Sequence, residues 1–384
     1  MITQSYKAGF LLQSQKLNSD LTAIQLNNNS HLVTDSSSNH LNWSRQKAYT
    51  EADYDLPGKI LKVNLTLPLS VQQISYSDSL YALDKSLTRL YFNPQLKVKY
   101  QIGIENYFNF VYNYRNNAGN IQDVYRGFIL KDYRTFYANN AGLTETKDQF
   151  AALGFNYRKA ITLFFFSINT SFNQITANNI ASSIITKSFQ QRIVLPFQNK
   201  INSWTVSGYI SKYSFPLRTT FSGGIQWQAN SSSQIQNNTL LPYNTISTML
   251  NTKAETKVSD VITFSYNANF TETSSHSQVT TANYGIKQLV QQIAINYDPA
   301  TNLFFKLSGD HYYTYQPGND LKYFFADASF KYRFGKLKTD VELNAINFLN
   351  VKNYSYLNLS ANTFTASSYT LPGRIMMVRI MFNI

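Results

Sequence analysis

The chain has 384 residues and a formal net charge of +13, contains no cysteine, and is 43% hydrophobic, 15% aromatic and only 14% charged. Its apolar residues are dispersed: the longest greasy run, 161–168, is interrupted by Thr162 and Ser167, so nothing approaches the roughly 20 apolar residues of a membrane-spanning helix, and a helical membrane protein is excluded. Lys and Arg fall singly rather than on one platform, which argues against nucleic acid as a partner, and the missing thiols suit an oxidising compartment.

The opening stretch, MITQSYKAGFLLQSQ, lacks the charged, apolar and small-residue regions of an export signal. Two expectations follow: a chain that is not exported, or one whose beginning is lost. Beyond it, alternation of period two dominates. It predicts sixteen strands, at 4–14, 41–54, 59–70, 86–101, 103–116, 148–158, 161–174, 203–213, 218–228, 240–254, 260–271, 281–297, 302–314, 321–334, 337–349 and 369–384. In 218–228, Phe221, Ile225 and Trp227 oppose Arg218, Thr220 and Gln226; in 260–271, Ile262, Phe264, Tyr266 and Phe270 oppose Thr263, Ser265, Asn267 and Asn269. In 337–349, Val341 and Leu343 oppose Lys338, Asp340, Glu342 and Asn344. Tight connections are expected at 55–58, 102, 159–160, 214–216, 256–259, 298–301 and 335–336. Long, Asn/Ser-rich ones are expected at 15–40, 71–85, 117–147, 175–202, 229–239, 272–280 and 350–368, with a short exception at 316–320.

Connections that alternate in length, between strands with one greasy and one polar face, predict an all-β fold: an antiparallel transmembrane β-barrel of about sixteen strands forming one domain over 1–384. Phe221, Ile225, Phe264, Tyr266, Val341 and Leu343 are then expected to face lipid, and Lys97, Lys99, Arg218, Asp340 and Glu342 the lumen. Aromatic clusters beside tight turns, such as Phe330, Tyr332 and Phe334, suit the membrane interface. A secreted β-rich adhesin or surface-layer protein that never enters a bilayer carries the same alternation and stands as a competing reading.

No catalytic constellation is found, so neither enzymatic activity nor a cofactor is expected. The four histidines, His31, His40, His276 and His311, form no metal motif. His31 and His40 share a connection with Asp35, but solvated loop histidines are the commoner outcome. Gly223 and Gly224 lie within a strand and relieve crowding there rather than cradle phosphate. In the connection 117–147, Tyr125, Arg126, Tyr133, Arg134, Phe136 and Tyr137 could form a ligand platform of rigid rings and forked guanidiniums; otherwise they pack the connection down.

The final stretch carries motifs as well as pattern. VELNAINFLNVKNYSYLN, followed by SSYTLPGRIMMVRIMFNI, resembles the C-terminal end of TonB-dependent outer-membrane receptors, especially the large barrels of Bacteroidetes-type bacteria. Asn347, Phe348, Leu349 and Asn350 match the asparagine knot that ends the penultimate strand; Pro372, Gly373 and Arg374 match the element that opens the last one. Phe382 stands near the aromatic terminus that the barrel-assembly machinery recognises, although the last residue is Ile384. The segment 120–142 also looks like an outer loop of these barrels.

The resemblance implies a Gram-negative outer-membrane receptor for a large or scarce nutrient, with outer-membrane lipid, the assembly machinery, a plug and TonB as partners. Since such receptors are 22-stranded and plugged, it also implies that this chain is a C-terminal barrel portion whose plug and TonB-contacting segment are encoded elsewhere, truncated or missing. A passive pore or non-transporting remnant is the alternative. Under that reading, strands 4–14 and 369–384 inherit edges built for lost neighbours. They either pair, through 5–13 and 376–382, or leave an imperfectly closed sheet, which is the expected outcome.

Overall fold

The computed structural model describes residues 2–24, 30–33, 37–186, 189–277, 283–315, 320–360 and 363–382. His31 and His40 are among them, whereas Asp35 and the terminal Asn383 and Ile384 lie outside the described residues.

Among the described residues the regular structure is strand, with four single 3-10 turns and no α-helix. In chain order the strands are β1 (Thr3–Asp20), β2 (Thr22–Ile24), β3 (Ser30–Leu32), β4 (Ser38–Pro57), β5 (Leu61–Asp78), β6 (Leu83–Phe92), β7 (Gln95–Gln101) and β8 (Tyr107–Ala118). They continue with β9 (Ile129–Asp132), β10 (Thr135–Asn139), β11 (Glu145–Lys159), β12 (Phe164–Ala177), β13 (Ile180–Ile185), β14 (Gln190–Leu195), β15 (Asn199–Ser214), β16 (Thr219–Gln236) and β17 (Thr239–Lys257). The remainder are β18 (Ile262–Ser277), β19 (Asn283–Ala300), β20 (Leu303–Tyr315), β21 (Leu321–Phe334), β22 (Thr339–Ile346), β23 (Asn353–Ser360), β24 (Thr363–Thr370) and β25 (Ile375–Phe382). The fold is therefore all-β, and its long ladders are antiparallel.

All sixteen expected strands are present, the fourth as β6 and β7 on either side of Asn93 and Pro94. Proline has no N–H to give the ladder there; instead the Pro94 carbonyl accepts from Tyr114 N at 3.0 Å. Several connections differ from expectation. The stretch 229–239 is not a long loop: β16 and β17 run through it to a two-residue turn, Asn237 (φ 47°) and Asn238 (φ 66°), the left-handed pair that hairpins of matching twist require. Likewise 71–85 is mostly strand, ending in the 3-10 turn Ser79–Tyr81.

The penultimate strand starts at Thr339 rather than 337, because Gly335–Leu337 form a 3-10 turn and Lys338 is left-handed (φ 47°). The last strand starts at Ile375, since 363–370 belong to the β23–β24 hairpin. Connections taken for loops also contain β2, β3, β9, β10, β13 and β14.

The chain forms two compact units. The first comprises Met1–Gly154, Ser171–Trp204 and Asn230–Tyr243. Within it β1 pairs with β4, β4 with β5, β5 with β6 and β7, and β7 with β8. Its core gathers Leu41, Trp43, Ile74, Tyr76, Leu83, Val124, Tyr125 and Leu143. The second comprises Phe155–Thr170, Thr205–Ala229 and Asn244–Ile384, with the ladder β18–β19–β20–β21–β22–β25. A smaller core of Ile286, Leu357 and Leu359, with Leu321 against it, ties the β23–β24 hairpin to that ladder.

Candidate functional site

Directly opposed residues of an antiparallel pair share a face, so the registers sort every side chain in the ladders. On β5, Leu61, Val63, Leu65, Leu67, Leu69 and Val71 form one face, and Lys62, Asn64, Thr66, Ser70 and Gln72 the other. The pattern then inverts. Beyond the Gln72-Gln73 pair the first face carries Ser75 and Ser77, while Ile74 and Tyr76 are buried on the second.

The neighbours invert at the same level. On β1, Tyr6, Ala8, Phe10 and Leu12 give way to Ser14, Lys16 and Asn18; on β4, Tyr54, Ala52 and Ala48 give way to Gln46, Ser44 and Asn42, while Trp43 and Leu41 turn into the core. The second unit repeats this by itself: Ile262, Phe264, Tyr266 and Phe270 are followed on the same face by Glu272 and Ser274, and Ile286 is buried on the other. Each unit thus has a band, eleven residues tall on β5 and nine on β18, that is apolar on one face. Beyond the band, that face is polar and the opposite one holds a core.

The apolar face stays uncovered. Phe10, Leu12, Leu69, Val71, Phe221, Ile225, Leu343, Val378 and Phe382 are all exposed. Within the second unit Ile295, Phe305, Leu307, Phe330, Leu343 and Met376 line an apolar trough on it, where Tyr297 stacks on Phe305 with ring centroids 5.8 Å apart. Tyr332 and Phe334 meet edge to face at 4.5 Å beside the Gly335–Leu337 turn. These large apolar side chains touch one another along the face, yet most of them stay exposed, which a surface in water does not retain at this extent.

The polar face holds the charges. In the second unit Asp340, nearly inaccessible, pairs with Lys331 (2.7 Å) and Arg333 (3.1 Å), and Glu342 with Arg379 (3.6 Å). In the first unit Lys7 pairs with Glu51 at 2.8 Å, and Arg89 makes a two-pronged contact with Glu145, both at 2.9 Å. Lys62, in contrast, stands directly opposite Lys99, with Lys97 two residues along on the same face.

Residues 118–144 of the first unit fold against the wall beyond the inversion. Asn39, fully buried, holds them: its Oδ1 accepts from Gly127 N (2.7 Å) and Arg126 N (3.2 Å), and its Nδ2 donates to Ser19 Oγ (2.9 Å) and the Gly127 carbonyl (3.1 Å). A side chain at 127 would strike the Ser38 carbonyl, so glycine is required there. The structure divides the six platform residues. Tyr125, only 4% exposed, belongs to the core, and burial pushes its phenol above the usual value. Arg126 donates to the Asn139 carbonyl at 2.9 Å. Phe136 packs edge to face on Phe189, and Arg192 donates to Tyr137 Oη at 3.2 Å. Tyr133, 83% exposed, stands free with the Arg134 guanidinium 5.1 Å from its ring centre. Among the described residues no group of His, Asp and Glu side chains is arranged to hold a metal ion.

The C-terminal motif residues do come together. Asn347 and Asn350 are both left-handed, with φ 50° and 63°. Asn347 Nδ2 donates to the Val351 carbonyl (2.8 Å), and its Oδ1 accepts from Val351 N (3.0 Å). Asn350 Oδ1 accepts from Arg374 N (3.0 Å), and Arg374 Nε donates to the Phe348 carbonyl (2.8 Å). Leu371 N, beside Pro372, donates to the Lys352 carbonyl at 2.8 Å. This knot ties the end of β22 to the start of β25. Phe382 lies on the apolar face, opposite Thr339.

No family model matches the chain, and no curated protein does. Solved structures show likeness at low identity. The outer membrane channel DcaP of Acinetobacter baumannii is similar with a TM-score of 0.35 and 12% identity, over 99% of this chain and 96% of that one. The outer membrane transporter YddB from Escherichia coli gives 0.36 and 7% over 98% and 66%. The ferric yersiniabactin uptake receptor FyuA from Yersinia pestis gives 0.32 and 8% over 98% and 75%.

Proposed function

We propose that the chain is an integral β-barrel of a Gram-negative outer membrane, with its polar face lining a passage for solutes. The observation that carries this reading is the inverted band. Eleven tilted strand residues span about 25 Å, the height of the apolar band of outer-membrane barrels. Only within that height does the uncovered face remain apolar on β1, β4, β5 and β18. The competing adhesin reading needs a packed partner for those residues. Fractionation tests it: the protein is expected with outer membranes, with heat-dependent migration in gels, and dependent on the barrel-assembly machinery. Recovery as a soluble secreted protein sinks the reading.

The asparagine knot favours a finer version, in which this is the barrel portion of a TonB-dependent receptor that works with TonB and a plug. Tyr133 and Arg134, exposed in the turn between β9 and β10, are the platform residues open to a ligand. Accumulation of a ligand that collapses with the proton gradient supports this version; gradient-independent flux supports a passive passage instead.

A further inference from the structure

The polar face of the first unit contains an arrangement that the fold does not explain. Like charges placed directly opposite each other on neighbouring strands destabilise a sheet, yet Lys62 faces Lys99 across β5 and β7, and Lys97 is on the same face. Among the described residues no carboxylate pairs with any of the three. The nearest carboxylate in register is Asp55, and Asn64 stands between it and Lys97. Lys99 instead places its ammonium 3.7 Å from the centre of the Tyr107 ring, which sits across from Gln101. On the same face Lys7 is matched by Glu51 and Arg89 by Glu145, while Arg45 donates to the Ala118 and Gly119 carbonyls and Lys47 lies over the Tyr49 ring without a like charge opposite it. The lysine triad is therefore a local excess of positive charge within the band, beside the turn between β4 and β5.

We infer that the Lys62–Lys97–Lys99 cluster gives the passage a preference for small anionic solutes. This rests on the reading of the polar face as a passage. Cationic side chains on a low-dielectric wall concentrate anions and exclude cations, and the missing counter-charge is then supplied by the permeating ion. The three ammonium groups raise local anion concentration without fixing any one ion, as flux requires.

Reconstitution of the full chain in planar bilayers between unequal concentrations of potassium chloride provides the test. The reversal potential should have the sign of chloride preference, and the preference should shrink when salt approaches 1 M, where the Debye length is only about 3 Å. Lys99→Glu should lower the chloride-to-potassium permeability ratio by at least about twofold. The same change turns a like-charge pair into an opposite-charge one, so heat-dependent migration should show a barrel at least as stable as the parent. A potassium preference in the parent, or an unaltered ratio in a folded Lys99→Glu or Lys97→Gln variant, overturns the inference and leaves the passage intact. Absence of conductance overturns the passage reading and, with it, the inference.

Discussion

Asn39 satisfies two backbone N–H groups 87 and 88 positions away, one half-buried and one buried, and it does so with one oxygen. Asn39→Ala leaves both without an acceptor, at about 1–3 kcal/mol for the buried Gly127 N–H and less for the half-buried Arg126 N–H. Amide exchange across 124–129 should therefore accelerate while β18 to β22 keep their protection; unchanged exchange in the loop would show that the contact is idle. Asn39→Asp retains the acceptor and should be milder. A second residue-scale expectation concerns pH. The Lys257 ammonium, 3.0 Å from Asp260 Oδ1, holds that carboxyl below its usual value, with Arg218 at 3.9 Å adding to the effect. A carboxyl lowered on folding stabilises the fold above its unfolded value, and the contribution is lost as pH falls through the folded value. Because Asp260 is exposed, salt should bring its titration back toward that of a free carboxyl. Carboxyl NMR titrations in low and high salt measure this, and identical midpoints would remove the ion pair from consideration.

Among the elements, β5 displays both phases in one strand, and this permits a controlled comparison. Leu67→Arg places a charge at mid-band and should cost about 2–4 kcal/mol in lipid. Ser75→Arg lies on the same face of the same strand beyond the inversion, and should be tolerated. Equal costs at the two sites, measured by urea unfolding in detergent or vesicles, would contradict lipid contact. The same strand explains how far the sequence could be followed. Period-two alternation located all sixteen wall strands, because one face is apolar over a fixed height. It failed at their outer ends, where Asn, Ser and Gln resemble a loop although water there makes polar outward residues compatible with strand. The stretch 229–239 was lost for this reason. The asparagine knot was legible because its members lie within 30 residues and match a motif. The division of Tyr125 from Tyr133 was not, since it depends on Asn39 and on a core assembled from distant strands.

For the whole molecule, tryptophan offers a depth gauge. Trp43 is 2% exposed in the core beyond the inversion, whereas Trp227 shares its strand face with Phe221 and Ile225 and is 37% exposed. In vesicles of brominated lipid, a variant retaining Trp227 alone should be strongly quenched and one retaining Trp43 alone should not. The reverse result would place the bilayer at the wrong height, and with it the proposed passage.

The Gln72-Gln73 pair shifts the apolar parity of β5 by one position. Deleting either glutamine would bring Ile74 and Tyr76 onto the same face as Leu61 to Val71, since a one-residue slip moves every following side chain across the sheet. The strand would then carry a hydrophobic length two rows greater than its neighbours. Bilayers respond to excess length by thickening locally or by tilting the segment, at a fraction of a kcal/mol per ångström. On the proposed outer-membrane reading, two adjacent glutamines thus set the hydrophobic height of the strand, and their loss would favour a thicker bilayer.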